Sequence, residues 1–171
     1  MFKRILVCLD GSKFAETILP CIVEQVKSNG GKIFLLSVNS AFSQILAYLA
    51  IPGSPSGGAS AGMAIKLKEM EIKSYLDKVA DYLKDKGVEV ECISIMGNVV
   101  DIILKCIKDN NIDLVAMATH AYKGWKRLVF GSTTEQVLRE CDIPVLVIKP
   151  SIKSEWGGSC NAKCEVSPVQ E

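Results

Sequence analysis

Short apolar runs alternate along this chain with longer stretches in which apolar residues recur every three or four positions. Ile5–Leu9 is the first run, unbroken as a strand buried on both faces should be. It ends at Asp10-Gly11-Ser12, a turn that can also cap a helix. Ala15, Ile18, Ile22 and Val26 then mark one helical face, and Asn29-Gly30-Gly31 stops it. Pro20 falls inside that helix and predicts a bend, because an interior proline costs about 3 kcal/mol. Lys32–Asn39 is a second strand, centred on Ile33-Phe34-Leu35-Leu36. Ile72, Leu76, Val79 and Leu83 form the buried stripe of a long amphipathic helix over 64–86, ended by Gly87. Val88–Met96 alternates apolar with polar residues, as an edge strand does. Asn98 is the N-cap of a third helix, whose buried face is Val100, Ile103, Leu104 and Ile107. The apolar run from Leu114 is a strand, Val137 and Leu138 start another apolar helix face, and Pro144–Lys149 is the last strand.

Two stretches break the rhythm. Phe42–Ile51 is apolar and can form a short helix, but Pro52–Gly62 holds four glycines, three serines and two prolines. Residues 40–62 therefore read as a flexible loop at the carboxyl end of a strand, either a lid or a plain solvated linker. Residues 151–171 have no apolar periodicity and read as a disordered tail, which leaves one domain over 1–150.

Strands alternating with helices place the domain in the α/β doubly wound class: a five-stranded parallel sheet, helices on both faces, right-handed crossovers. Such sheets bind ligands outside the carboxyl ends of their strands, at the switch point of the strand order.

Composition narrows the function more than the fold. A chain of 171 residues with 49% hydrophobic content has enough length to bury a core. The net charge of +1 gives no bulk attraction to nucleic acid or an acidic membrane. The N-terminus is a strand pattern without the features of a signal peptide, and no apolar run approaches the ~18 residues of a membrane span. A cytoplasmic protein is expected. Its seven cysteines, an odd number scattered through strand and helix patterns, are read as mostly reduced.

The stretch from Leu114 to Lys149 carries the candidate chemistry. A strand feeds a basic loop with Lys123, Lys126 and Arg127, and the loop feeds a helix start at Gly131-Ser132. Ser132 is read as the N-cap, with Glu135 completing a capping box. Gly131, Ser132 and Thr133 can offer backbone N–H groups to a di- or triphosphate, and Ser132 and Thr134 their hydroxyls. The competing reading is an ordinary capped helix after a solvated loop. Asp10 can bond a ribose hydroxyl or orient a magnesium ion; equally it can be a turn residue.

These residues resemble the C-terminal signature of the universal stress protein family: Gly, two residues, Gly, nine residues, then Gly followed by Ser or Thr. Here it stands as Ala118, Thr119, His120, Ala121, nine residues, Gly131, Ser132. The spacing, the His, Arg127 and the final Gly-Ser match, whereas the first two glycines are alanines. The resemblance spans roughly residues 1–150. It supports the strand order 3-2-1-4-5, which puts the switch between the first and fourth strands, where Asp10 and His120 end up. It implies ATP with Mg2+ held by Leu9, Asp10, Val38, Ala118, Thr119, His120, Ala121, Arg127, Gly131, Ser132, Thr133 and Thr134. Leu9 and Val38 would meet the adenine through their backbones. It also implies an isologous homodimer through the edge strand 144–149.

No catalytic or metal-ligating set stands out. His120 is the sole histidine, and Cys8, on the same strand side as Asp10, is its only candidate nucleophilic partner. A buried structural thiol is the plainer reading. Cys160 and Cys164 make a two-thiol pattern without further ligands. Gly-x-Ser-x-Gly, Walker A and His-Glu-x-x-His sequences are all missing. The expected function is an adenine-nucleotide-binding signalling or stress-adaptation module acting as a dimer. A nucleotide-free interaction module and a slow ATPase are the alternatives.

Overall fold

The computed structural model describes residues 2–39, 58–119, 131–148 and 165–166, with backbone alone for 58–61 and 165–166. The elements run β1 (Arg4–Cys8), a 3-10 turn (Ala15–Ile18), α1 (Leu19–Asn29), β2 (Lys32–Asn39), α2 (Gly58–Asp85) and β3 (Glu89–Met96). They continue with α3 (Val99–Asp109), β4 (Leu114–Ala118), α4 (Ser132–Glu140), β5 (Val145–Ile148) and β6 (Glu165–Val166). Five strands lie parallel in the order β3-β2-β1-β4-β5, as the sequence pattern and the resemblance imply. The short β6 adds an antiparallel partner on the far side of β5.

The period of two in the central strands makes two cores. Ile5 and Val7 of β1, with Ile33 and Leu35 of β2, face α1 and α2, where Ile22, Leu76 and Leu83 meet them. Leu6, Phe34 and Leu36 point the other way, against Val100 and Ile103 of α3 and Val137 of α4. Ile5, Leu6, Ile22, Ile33, Leu83 and Ile103 are fully buried; burying each such side chain stabilises the fold by about 1.5–3 kcal/mol. At the sheet's amino end the Asp113 carboxylate accepts the Lys3 and Arg4 N–H groups, at 2.7 and 3.0 Å. This pins β1 beside β4.

Four local expectations change. Pro20 bends nothing: α1 begins at Leu19, so the proline sits in the first turn, where its missing N–H has no carbonyl to lose. The helix face that starts at Ala15 is a separate 3-10 turn. The helix expected from Ala64 begins at Gly58, so the last five residues of the 40–62 stretch are its first turns, and the alanines among them suit a helix. The start of α4 is displaced by one: Gly131 is the N-cap in an extended conformation, and no side chain caps the helix. Ser132 already lies inside it, and the Glu135 carboxylate pairs with Arg139 at 2.6 Å instead of closing a capping box. Asn98, by contrast, caps α3 as read, its Oδ1 accepting the N–H groups of Val100 (2.9 Å) and Asp101 (3.3 Å).

Residues 40–57 of the stretch read as a lid or a linker lie outside the described residues, as does most of the tail. Within the tail, Glu165–Val166 departs from the structureless reading, and it occupies part of the edge expected to face a second copy.

Candidate functional site

A cavity of about 500 Å3 opens at the carboxyl ends of β1, β2 and β4, where the strand order reverses. That is within the usual range for small-molecule sites. β1 and its turn supply Cys8, Leu9, Asp10 and Gly11; β2 supplies Leu36, Ser37, Val38 and Asn39. Met117 and Ala118 of β4 and Thr133 and Thr134 of α4 close the opposite side. Of the residues expected at the site, Leu9, Asp10, Val38, Ala118, Thr133 and Thr134 thus share one cavity. Gly131 and Ser132 are exposed beside it, at the helix start. Arg127, His120 and Ala121 lie outside the described residues.

Each half of the site has a local cause. At the β1 end, Leu9 N–H donates to the Leu36 carbonyl at 2.8 Å, which continues the ladder one residue past the strand. Gly11 then turns the chain with φ +83°, a conformation that disfavours a side chain. Asp10 Oδ1 accepts the Ser12 N–H at 2.9 Å, and Ser12 Oγ accepts the Ala15 N–H at 3.1 Å. The turn is closed on itself, and Asp10 stays exposed with its second oxygen available to a ligand.

At the α4 end, Thr119 is buried and its Oγ1 accepts the Gly131 N–H at 3.3 Å. This bond ties the end of β4 to the start of α4 across the intervening loop. The first amides of α4, on Ser132, Thr133 and Thr134, have no acceptor within the regular helix pattern and no side-chain cap. They add the positive end of the helix dipole to the cavity rim. Gly131 has φ −62°, and a Cβ there would meet nothing within 4 Å among the described residues. The fold itself does not demand glycine at this place; a ligand passing close by would.

Sequence reasoning missed the third wall. Lys68, Glu71, Ile72 and Tyr75 of α2 line the cavity, with Lys68 Nζ and Glu71 Oε2 paired at 2.9 Å. Ile72 carries the only signal that the pattern offered, as a member of the helix's buried stripe. Tyr75 has a buried hydroxyl that makes no hydrogen bond among the described residues. Burial first, then the nearby Glu16 and Asp10 carboxylates, push its pKa up. Glu16 is itself buried, and it pairs with Lys13 at 2.9 Å.

Cys8 shows part of its surface to the cavity, but its surroundings push the thiol up to about 12. Burial dominates, and Cys106 and Cys141 add to it. A thiol held protonated at neutral pH is a poor nucleophile. Among the described residues no group of three or more His, Cys, Asp or Glu is placed to hold a metal ion. No helix among them is long and apolar enough to cross a membrane.

Residues 1–149 match the universal stress protein family. Among relatives, the chain is 28% identical over 157 residues to universal stress protein MJ0577 of Methanocaldococcus jannaschii, covering 87% of this chain and 96% of that one. It is 23% identical over 153 residues to universal stress protein YxiE of Bacillus subtilis, with 87% and 100% covered. The fold is similar to that of UspA from Lactobacillus plantarum, with a TM-score of 0.68, 17% identity, and 86% and 98% of the two chains covered. It is also similar to a universal stress protein solved in complex with cAMP, with a TM-score of 0.61, 15% identity, and 88% and 98% covered.

Proposed function

The chain belongs to the universal stress protein family, and from that premise we propose that it binds an adenine nucleotide, ATP with Mg2+, in the cavity between β1 and β4. The observation that carries this reading is the pairing of an exposed carboxylate, Asp10, with the uncapped amide end of α4 across one cavity. The residues fit the ligand by its parts. Leu9 and Val38 offer apolar surface and backbone groups to a base. Asp10 suits a ribose hydroxyl or the nucleotide's magnesium. The amides of Ser132–Thr134 suit phosphate oxygens. Magnesium would arrive on the phosphates, since the described residues provide no cage of their own.

The function is then signalling or stress adaptation in the cytoplasm, read out through the nucleotide-bound state rather than through turnover. The same reading gives the chain an isologous homodimer through the outer edge of β5. One observation favours the nucleotide-free interaction module as the second reading: the Ala118 methyl stands on the cavity wall where the family motif has no side chain.

Calorimetry with magnesium-ATP on wild type, Ala121→Gly and Gly131→Val decides between the two. Wild type should bind weakly and Ala121→Gly, which restores the glycine of the family motif, about ten-fold more tightly, a gain of ~1.4 kcal/mol. Gly131→Val should lose binding with a stability loss of only about 1 kcal/mol: a Cβ there meets nothing within 4 Å among the described residues, and valine is a poorer N-cap than glycine. No heat from wild type and from Ala121→Gly would establish the nucleotide-free reading.

A further inference from the structure

β4 takes up only one side of β5. Val115 N–H donates to the Pro144 carbonyl at 3.1 Å, and Thr119 N–H to the Ile148 carbonyl at 3.0 Å. Backbone groups alternate in direction along a strand, so Val145 and Val147 present theirs to the opposite side. A short run of Val, Leu, Val and Ile with outward N–H and C=O groups is a template for another strand. The structure seats one there: β6 runs antiparallel, with Glu165 opposite Val147 and Val166 opposite Leu146. This segment lies beyond the residues that match the family, 1–149.

We propose that the Glu165–Val166 segment caps the outer edge of β5 and competes with a second copy of this chain for it. The proposal rests on the homodimer reading above, and adds what governs that dimer. Two partners cannot use the same Val147 N–H and C=O at once. A segment tethered in the same chain competes at an effective concentration of order millimolar, well above that of a second copy at micromolar levels. The cap is also short. Two paired residues give it few hydrogen bonds, so a longer strand from a second copy can displace it as concentration rises. The exchange is thus set by concentration and by whatever holds the segment elsewhere.

The test uses the full chain with reductant present, so that no disulfide links copies. The double variant Glu165→Pro/Val166→Pro keeps the sequence of the edge itself, but proline has no N–H to place in a ladder. Glu165→Ala, which keeps its N–H, is the control. Hydrogen exchange at the Val147 amide is measured at a concentration where sedimentation shows every variant to be a monomer. Sedimentation equilibrium then follows dimerisation from micromolar to hundreds of micromolar.

Faster exchange at Val147 in the proline variant, with a dimer Kd lower by about ten-fold or more, is the expected result. Glu165→Ala should match wild type in both. Equal Val147 exchange in wild type and the proline variant would overturn the cap. A wild type that dimerises as tightly as the proline variant would overturn the competition. Faster exchange without any dimer would leave the edge covered in wild type, yet it would overturn the competition and the homodimer reading together.

Discussion

Two helices of this protein start at the same end of the sheet, and they start differently. α3 opens with Asn98, whose side chain accepts the N–H groups of both Val100 and Asp101. α4 opens with Gly131, which has no side chain to offer, and the Thr119 hydroxyl nearby is engaged with the Gly131 N–H rather than with the helix. The fold satisfies one helix start internally and leaves the other with open donors on a cavity rim. An asparagine cap is worth about 1 kcal/mol over alanine but only a few tenths over glycine, so Gly131 gives up a little stability at α4 and leaves open donors that a bound anion can satisfy.

The largest expected effect bears on both starts at once. Cys8 lines the cavity beside Val99 of α3 and Thr133 of α4. Its thiol has an ordinary value of 9.0 and is pushed up to about 12 in the fold. Between those values the unfolded chain has lost the proton and the folded chain keeps it, so stability falls as pH rises. The loss reaches about 4 kcal/mol at the top of the window. Cys92, Cys106 and Cys141 are raised too, each chiefly by burial, and act in the same direction. Urea melts at pH 8 and pH 11 should show the decline, and Cys8→Ala should flatten it. A decline equally steep in that variant would remove Cys8 as its main source.

Next comes the capped start. Asn98→Ala should lower stability by about 1–2 kcal/mol, a few degrees in Tm, and leave nucleotide affinity unchanged. An affinity loss as large as the stability loss would mean that the two helix ends are coupled through the sheet. Transplanting the cap is a smaller change. Gly131→Asn should raise stability by only a few tenths of a kcal/mol, since glycine is itself a tolerable N-cap. The same side chain would occupy the amides proposed for phosphate, weakening ATP about three- to ten-fold in a thermal-shift titration. Tighter binding in that variant would break the contrast between the two helices. The smallest effect is that of Glu135→Gln. Its carboxylate makes an exposed i,i+4 pair with Arg139, so the loss should stay within ~0.5 kcal/mol in chemical denaturation. A loss above ~1 kcal/mol would point to a capping role for Glu135 in solution.

Those helix starts also show how far the sequence could be read. Asn98 is legible because one residue both precedes the apolar face and carries a good acceptor. Gly131-Ser132 offers two acceptable N-caps in a row, and Glu135 three residues after Ser132 completes a capping-box pattern that favours Ser132 in the sequence, whereas the helix is capped at Gly131. Register at a helix end is decided by less than 1 kcal/mol, well within reach of the Thr119–Gly131 bond, which joins residues 12 apart. Pro20 departs from the expected bend for a related reason: the apolar spacing runs on through Ala15 and Ile18, but the backbone changes from a 3-10 turn to an α-helix at Leu19.

What the sequence determined by itself is the sheet and its two cores. Unbroken apolar runs at Ile5–Leu9 and Leu114–Ala118 have few ways to leave water except between two helical layers, and the helical stripes supply those layers. The helix-start chemistry and the family resemblance assign Leu9, Asp10, Val38, Ala118, Thr133 and Thr134 to one ligand, and these six residues line one cavity. Only the tertiary structure decided what else faces that cavity. In the sequence, Lys68 and Glu71 are solvated helix residues, and Ile72 is core. They become a wall because α2 passes over the ends of the strands, a matter of helix placement rather than of local preference. The edge of β5 follows the same rule. Its apolar run announces a strand, but whether the open side is met by water, by a second copy or by Glu165–Val166 depends on pairing between residues distant in the chain, which no local pattern encodes.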